Sequence, residues 1–216
     1  MHVDEIIQNY LKSDDPVGVV WYKSETGGFS AYASKFLNID RQGDMILPGA
    51  YNKALPEFLD DGGVIVADHI NKTMAVAATL TDAREDRNGL LVQGQFSATE
   101  TGQRIRQLLK EKAVSKMSIS FTAASRKIKE ADILELWNRY NYTPSATQRK
   151  LAKSGANLIS EVNEIFEVSF VPIPANREAG VLSVKSLETP SEVVTPQIDL
   201  IKLFEQAKIA DKILGR

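Results

Sequence analysis

Short apolar runs separated by turn residues dominate the pattern of hydrophobic and polar positions along the chain. The runs are rich in β-branched and aromatic side chains, which favours strands over helices. The predicted strands are 17–23, 29–37, 64–69, 73–83, 89–97, 112–122 and 159–176. A turn signal, ETGG, separates the first two runs and makes them a predicted hairpin.

Helical spacing of apolar residues occurs in other segments, including Ile133, Leu134 and Trp137, and three of these segments carry a stripe typical of an amphipathic helix. One lies at the N-terminus, a second follows the capping-box pattern at 97–100, and a third lies near the C-terminus. The apolar stripes are Ile6, Ile7, Tyr10 and Leu11; Ile105, Leu108 and Leu109; and Leu200, Leu203, Ala207, Ala210 and Leu214. Each stripe predicts an amphipathic helix.

These elements divide the chain into an N-terminal helix at 1–14, a main domain at 15–184, a linker at 185–197 and a C-terminal amphipathic helix at 198–216. Within the main domain, 123–156 is more polar and basic than its surroundings, and we interpret it as an insertion or mobile excursion. Many strands and few helices, without regular βαβ alternation, predict an α+β fold built on a mainly antiparallel sheet or barrel.

Composition excludes several kinds of chemistry. A net charge of −2 over 216 residues gives no bulk electrostatic reason to expect nucleic acid binding. No apolar run approaches the roughly 18 residues that a membrane span needs, and the acidic N-terminal sequence lacks a signal-peptide pattern, so we expect an intracellular protein. The absence of cysteine excludes thiolate nucleophiles and Cys-based zinc sites, and with His2 and His69 as the two histidines we expect no multi-histidine metal site. A carboxylate-only magnesium or calcium site stays open, although the sequence has no recognisable loop for one.

Strand alternation sorts the serine-rich stretch 112–122, KAVSKMSISFT, into two faces. The two faces are Lys116, Ser118, Ser120 and Thr122, and Met117, Ile119 and Phe121. Ser115 falls on the apolar face, at the entry to the strand. Ser118 and Ser120 are therefore the candidate nucleophiles.

The same alternation separates an apolar face from a mixed face in the strand around Glu167. The two faces are Phe166, Val168 and Phe170, and Ile165, Glu167, Ser169 and Val171. Glu167 is thus a candidate orienting acid, and His69 lies at the end of a different strand.

These residues match the needs of nucleophilic catalysis. A serine hydroxyl attacks well only when a neighbouring base takes its proton, and imidazole suits that role because its reference pKa is about 6.5. A third group fixes the imidazole tautomer and stabilises its charged form. Ser118 or Ser120, with His69 and Glu167, would fill these roles in the chain order histidine, serine, acid.

A simpler interpretation fits the same residues. A lone histidine beside Asp68 is typical of a surface or structurally paired imidazole, and serines on the outer face of a strand are typically solvated. Glu161, Glu164 and Asp68 all compete with Glu167 as the third member. Periodicity alone does not establish a triad.

Four motifs in order resemble the prohead (capsid maturation) serine proteases of tailed bacteriophages, a family related in fold to the herpesvirus assemblins. The motifs are DRQGDMILPGAY at 40–51, VADHIN at 66–71, KMSISF at 116–121 and IFEVSFVPIPAN at 165–176. The resemblance spans residues 17–184 and aligns Ser118 with the nucleophile, His69 with the catalytic histidine and Glu167 with the third member. Lys116 and Ser120 stand where the family has glycines.

The resemblance implies an α+β fold with a mainly antiparallel β-barrel and surrounding helices, like that of the herpesvirus proteases. The same resemblance implies a serine endopeptidase that cleaves scaffold or capsid-protein segments, and also itself, during phage head maturation. It implies no metal or cofactor, no nucleic acid or membrane partner, an option for self-association, and a location in the host cytoplasm inside the immature capsid. The linker 185–197 becomes a candidate self-cleavage region, and the C-terminal helix a candidate contact with scaffold or capsid. The alternatives are a non-catalytic scaffolding or capsid-assembly factor with the same fold, and an unrelated β-rich binding domain.

Overall fold

The fold comes from a computed structural model, and the structure describes residues 27–184. The helix predicted at 1–14, the strand at 17–23, the linker at 185–197 and the helix at 198–216 lie outside the described residues and stay predictions.

Eight strands form the framework of the described residues. They are β1 (Gly28–Lys35), β2 (Asp44–Ile46), β3 (Val64–Ala67), β4 (Val76–Glu85), β5 (Gly89–Phe96), β6 (Lys116–Ile128), β7 (Ala156–Val171) and β8 (Gly180–Val184). Six predicted strands are confirmed with shifted ends: 29–37 as β1, 64–69 as β3, 73–83 as β4, 89–97 as β5, 112–122 as β6 and 159–176 as β7.

Four α-helices and one 3-10 turn connect the strands of the described segment. They are α1 (Leu55–Asp60), the 3-10 turn (Thr73–Ala75), α2 (Glu100–Lys110), α3 (Glu130–Arg139) and α4 (Ala146–Ala152). The N-cap of α2 is Thr99, whose hydroxyl accepts a hydrogen bond from the Gly102 backbone N–H, and the Ser97 hydroxyl accepts from the Thr99 backbone N–H. Between residues 27 and 184, no helix combines the length and apolar character that a membrane span requires.

The strands form one mixed sheet with the order β2-β7-β3-β4-β5-β1-β8, and β6 pairs with β7. β7 runs parallel to β2 and β3, whereas the other described ladders are antiparallel. The sheet curls until a single backbone hydrogen bond of 3.0 Å, from Val181 N–H to the Ser115 carbonyl, joins β8 to the residue before β6. The described strands form an open, mixed sheet in which most ladders are antiparallel, as expected, but they do not close into a barrel, because β6 and β8 do not pair along their lengths.

Aromatic rings from three strands occupy the centre of the core. Phe29, Phe96 and Phe170 come from β1, β5 and β7, and each is at most 2% exposed. Their ring centroids lie 4.9 to 5.9 Å apart, which is the separation that aromatic pairs prefer. This cluster fixes β7, the strand that carries Glu167, against the opposite side of the curled sheet.

The segment 123–156 belongs to the packed domain. Residues up to Ile128 continue β6, which pairs with β7 as far as Ala156. In α3, Ile133 is fully buried, and the Trp137 indole N–H donates to the Leu37 carbonyl at 2.7 Å. This segment is therefore not a mobile excursion, because α3 and α4 both carry side chains that pack in the core.

Alternation along β7 breaks close to the site. The β6–β7 register shifts between Ser120, which lies opposite Glu167, and Phe121, which lies opposite Ile165. Phe166 is the extra residue of this bulge and is 45% exposed, whereas Ile165 is 6% exposed. The prediction that Phe166 faces the core and Ile165 the mixed face is wrong, because a bulge inverts the alternation beyond it.

Candidate active site

His69 lies just beyond the end of β3, on a tight backbone turn. β3 runs parallel to β7, and the Asp68 backbone N–H continues this pairing with a 3.0 Å hydrogen bond to the Phe170 carbonyl. Asp68 and His69 then both adopt left-handed backbone conformations, with φ of 57° and 58°. Such conformations are uncommon for residues other than glycine and persist where the surroundings impose them. The turn carries the imidazole back towards β7.

Glu167 meets this imidazole from β7. Its Oε1 lies 2.6 Å from His69 Nδ1, and its Oε2 accepts a hydrogen bond from the Ser169 hydroxyl. The Glu167 side chain is 1% exposed, whereas that of His69 is 40% exposed. A carboxylate removed from water requires such partners, so the buried acid holds one side of an imidazole whose remainder stays accessible.

Two serines of β6 share a face with Glu167. Ser118 lies opposite Ser169 in the ladder and Ser120 lies opposite Glu167, and directly opposed residues of an antiparallel pair point to the same side. The Ser120 hydroxyl is 3.2 Å from His69 Nδ1. Among the described residues, no hydrogen bond joins the Ser118 hydroxyl to His69. Ser118 is 6% exposed.

The contacts of His69 determine which ring nitrogen is available as a base. A carboxylate can only accept hydrogen bonds, and a neutral imidazole has one donor and one acceptor nitrogen. Because Nδ1 faces Glu167 at 2.6 Å, Nδ1 carries the proton and Nε2 keeps the lone pair. Ser120 faces the protonated nitrogen and cannot pass its own proton to it. A nucleophile activated by His69 must therefore approach Nε2.

A cavity of about 470 Å³ opens beside these residues. One wall carries His69, Ser118 and Ser120. β6 also contributes Ile119 and Phe121. The other lining residues come from β1, the 40–46 turn and strand, and the segment after β7; they are Ala33, Ser34, Asp40, Arg41, Gln42, Asp44, Ile46, Ile173, Pro174, Ala175 and Asn176. The cavity has room for one or a few side chains of a polypeptide bound across the serines.

Asp40 marks the acidic side of this cavity. Its Oδ1 accepts hydrogen bonds from the backbone N–H groups of Gln42 and Asp44, at 2.8 and 2.9 Å. Burial raises the pKa of the Asp40 carboxyl above its ordinary value, although these N–H donors act in the opposite direction.

The sequence profile of the caudovirus prohead serine protease family matches residues 19–192. The chain belongs to this family. The prohead protease of Enterobacteria phage HK97 is 28% identical to it over 164 residues, which are 75% of this chain. The chain spans 62% of the length of that relative.

Two solved structures of viral proteases resemble the chain with low TM-scores. The bacteriophage T4 capsid assembly protease gp21 has 8% identity and a TM-score of 0.47, covering 67% of this chain and 80% of its own. The KSHV protease in complex with a hexapeptide phosphonate inhibitor has 10% identity and a TM-score of 0.35, covering 88% and 77%.

In this member of the prohead protease family, the structure brings together some of the site residues that were predicted from the sequence. The structure brings His69 and Glu167 into contact and lines one cavity with His69, Ser118 and Ser120. It gives His69 a hydrogen bond to Ser120, which the resemblance does not single out, and none to Ser118 in the described part of the chain.

The competing acids lie elsewhere. Glu161 forms an ion pair with Lys53 at 2.6 Å, and Glu164 is exposed opposite Thr122. Within residues 27–184, Glu167 is the carboxylate within ion-pair distance of His69.

The sequence did not predict a role for Ser169 in the site. Its hydroxyl accepts a 3.1 Å hydrogen bond from the His69 backbone N–H and donates to Glu167. The signal available in the sequence was its position two residues after Glu167, on the same face of a strand. That signal does not reveal the contact with His69, which depends on the pairing of β3 with β7.

Proposed function

We propose that this chain is a serine endopeptidase that cleaves scaffold or capsid-protein segments, and itself, during maturation of a phage head. The observation that carries the proposal is the 2.6 Å contact between His69 Nδ1 and the buried Glu167, beside the serine-bearing face of β6. A buried acid that holds an accessible imidazole next to hydroxyl groups is the arrangement that serine hydrolysis requires. Membership of the prohead serine protease family supports the same activity.

Ser118 is the proposed nucleophile. The tautomer that Glu167 imposes leaves Nε2 as the base, and Ser120 lies at the other nitrogen. Ser118 is the second serine on the same wall of the cavity, and the resemblance aligns it with the family's nucleophile. Hydrogen bonds of a catalytic base are often long before substrate binds and tighten in the complex, so the open Ser118–His69 geometry suits a resting enzyme.

The reaction then follows the order of a serine hydrolase. Ser118 Oγ attacks the peptide carbonyl carbon while its proton moves to His69 Nε2, and the Nδ1–H bond to Glu167 stabilises the resulting imidazolium. The tetrahedral intermediate collapses, the C–N bond breaks, and Nε2 returns the proton to the leaving amine. Water, deprotonated by Nε2, next hydrolyses the acyl-enzyme and frees Ser118.

The substrate and the location follow from the relatives. The HK97 relative is a prohead protease, so the proposed substrates are capsid or scaffold segments held inside the immature capsid, in the host cytoplasm. Self-cleavage within 185–197 is part of this proposal.

We also infer that the complete sheet closes as the family's barrel. The support is the hydrogen bond from Val181 N–H to the Ser115 carbonyl. Amide hydrogen exchange at Val181 should therefore be slow.

Co-expression with the capsid-protein precursor of the same phage tests the function. The full chain, Ser118→Ala, Ser120→Ala and Ser115→Ala are compared by the intact masses of both proteins. Ser115 is the matched control, because it is an exposed serine of the same stretch outside the cavity lining. Loss of cleavage in Ser118→Ala, with cleavage retained in Ser115→Ala, is expected.

The other outcomes separate the alternatives. Loss in Ser120→Ala with cleavage intact in Ser118→Ala would overturn the nucleophile assignment while leaving the protease. Uncleaved full-length masses for all four chains and for the capsid precursor, with normal capsid assembly, would instead indicate a non-catalytic assembly factor.

A further inference from the structure

Ser169 is a fully buried polar residue at the junction of three strands. It lies on β7 between Val66 of β3 and Ser118 of β6 in the two ladders, and it is 0% exposed. Its hydroxyl donates a hydrogen bond to Glu167 Oε2 and accepts one, 3.1 Å long, from the His69 backbone N–H. One hydroxyl therefore links the acid and the base of the site.

We propose that Ser169 is a positioning residue that holds Glu167 and His69 in the geometry needed for proton transfer. The proposal rests on the proposed function, because the geometry it maintains is that of the serine protease site. It goes beyond that function by giving the site a fourth member that does not touch substrate.

The first effect of Ser169 is on the carboxylate. Glu167 can turn about its terminal torsion, and such sp³–sp² torsions are broad. A donor on Oε2 sets this torsion and leaves Oε1 directed at His69 Nδ1. Without the donor, a buried carboxylate oxygen loses its partner, and leaving a buried charged group unsatisfied is unfavourable.

The second effect is on the backbone of His69. The left-handed conformation of this residue, φ 58°, is unfavourable for a side chain with a Cβ and needs external support. The bond from His69 N–H to the Ser169 hydroxyl supplies such support. Because the backbone turn at His69 sets the direction of its imidazole, loss of the hydrogen bond from the His69 N–H to Ser169 changes the direction of Nε2.

The chain offers a matched control for the loss of a buried hydroxyl. Ser30 on β1 is 1% exposed, and its hydroxyl has no hydrogen-bond partner in the described structure. Ser30→Ala therefore removes the same atom from an equally buried strand position without removing a link to the site.

Two further variants separate the hydroxyl from the space it fills. Threonine and valine have nearly the same size and both suit strands, but threonine alone keeps the hydroxyl. Ser169→Thr and Ser169→Val are compared with Ser169→Ala, Ser30→Ala and the parent chain. Reaction with a fluorophosphonate probe gives the maximal inactivation rate and the half-saturating concentration, and chemical denaturation reports folding.

The expected result is a loss in rate without a loss in binding. Ser169→Ala and Ser169→Val should lower the maximal inactivation rate about 100-fold, the scale of a misplaced reacting group. The half-saturating concentration should change less than about threefold, because Ser169 does not line the cavity. Ser169→Thr should recover most of the rate, and Ser30→Ala should match the parent.

A measurement without turnover keeps this proposal separate from the proposed function. In the Ser118→Ala chain, the His69 Nδ1–H that faces Glu167 should give a low-field proton resonance that Glu167→Gln abolishes. Ser169→Val should shift or broaden that resonance, and Ser169→Thr should preserve it.

Three results would overturn the proposal. They are equal rates in the folded Thr and Val variants, a rate loss that Ser30→Ala reproduces, and a resonance that Ser169→Val leaves unchanged. If the parent chain does not react with the probe but the resonance responds as expected, the proposed function fails while the positioning role stands.

Discussion

At the scale of single residues, the site depends on which nitrogen of His69 meets the acid. Glu167 holds Nδ1 at 2.6 Å, and this leaves Nε2 to accept the proton in the proposed reaction. In the described part of the chain, Ser120 is the serine whose hydroxyl lies within hydrogen-bonding distance of the His69 ring. It lies at Nδ1, however, the nitrogen that already carries a proton. Proximity alone would select Ser120, whereas the tautomer favours Ser118.

Replacing Glu167 by Gln tests this dependence. An amide can donate to Nδ1 and so stabilise the wrong tautomer, and kcat should fall about 10⁴-fold, as in the chymotrypsin-type triad. Glu161→Gln is the control: it makes the same change on the same strand, at an exposed residue paired with Lys53, and kcat should stay within about twofold of the parent. Steady-state cleavage of the capsid precursor measures both variants, and equal rates for the two would rule out Glu167 as the orienting acid.

Asp40 gives a prediction for stability against pH. Burial raises its pKa in the folded state, so between the unfolded value, about 3.9, and the folded value the folded chain binds more protons than the unfolded chain. The free energy of unfolding therefore falls as pH rises through this window, and the deficit persists at neutral pH. Asp40→Asn removes the charge and keeps an oxygen for the Gln42 and Asp44 N–H groups.

Urea unfolding across pH measures this effect. Asp40→Asn should be more stable than the parent at pH 7, and the difference should vanish below the unfolded pKa. The exposed Glu164→Gln serves as a control and should change the unfolding free energy by less than about 0.5 kcal/mol. If Asp40→Asn is less stable than the parent at pH 7, burial of the ionised Asp40 carboxylate does not lower the stability of the folded chain.

At the scale of elements, the pattern of apolar residues predicted the strands whose own side chains need burial. It did not predict structure that depends on pairing with a second strand. The apolar runs at 64–69 and 89–97 predict β3 and β5, because each run is apolar enough to need the core. Residues 123–128, AASRKI, have little to bury, and they extend β6 because β7 offers a partner edge. The same pairing introduces the bulge at Phe166, which a local pattern cannot reveal.

Trp137 tests whether α3 belongs to the packed domain. Trp137→Phe leaves the buried Leu37 carbonyl without its donor and leaves space in the core. The unfolding free energy should fall by about 2–4 kcal/mol. Leu134→Ala, at a 45% exposed position of the same helix, should change it by less than about 1 kcal/mol. Similar small effects from both variants would indicate that α3 does not contribute to the core.

At the scale of the whole molecule, the sheet order assembles the site. His69 and Glu167 are 98 residues apart in sequence, and Ser120 is 51 residues from His69. They meet because β7 pairs with both β3 and β6. The sequence could supply the candidate residues and their faces, and the family resemblance could supply their roles. The link through Ser169 could not be predicted, because it depends on the register of two strands that are distant in the chain.

Peptide mass spectrometry of the full chain after reaction with a fluorophosphonate probe tests directly whether Ser118, activated by His69, is the nucleophile. We expect a single adduct on Ser118, absent in Ser118→Ala and strongly slowed in His69→Ala and Glu167→Gln. An adduct on Ser120, or labelling of Ser118 that does not depend on His69, would contradict the assignment of Ser118 as the nucleophile.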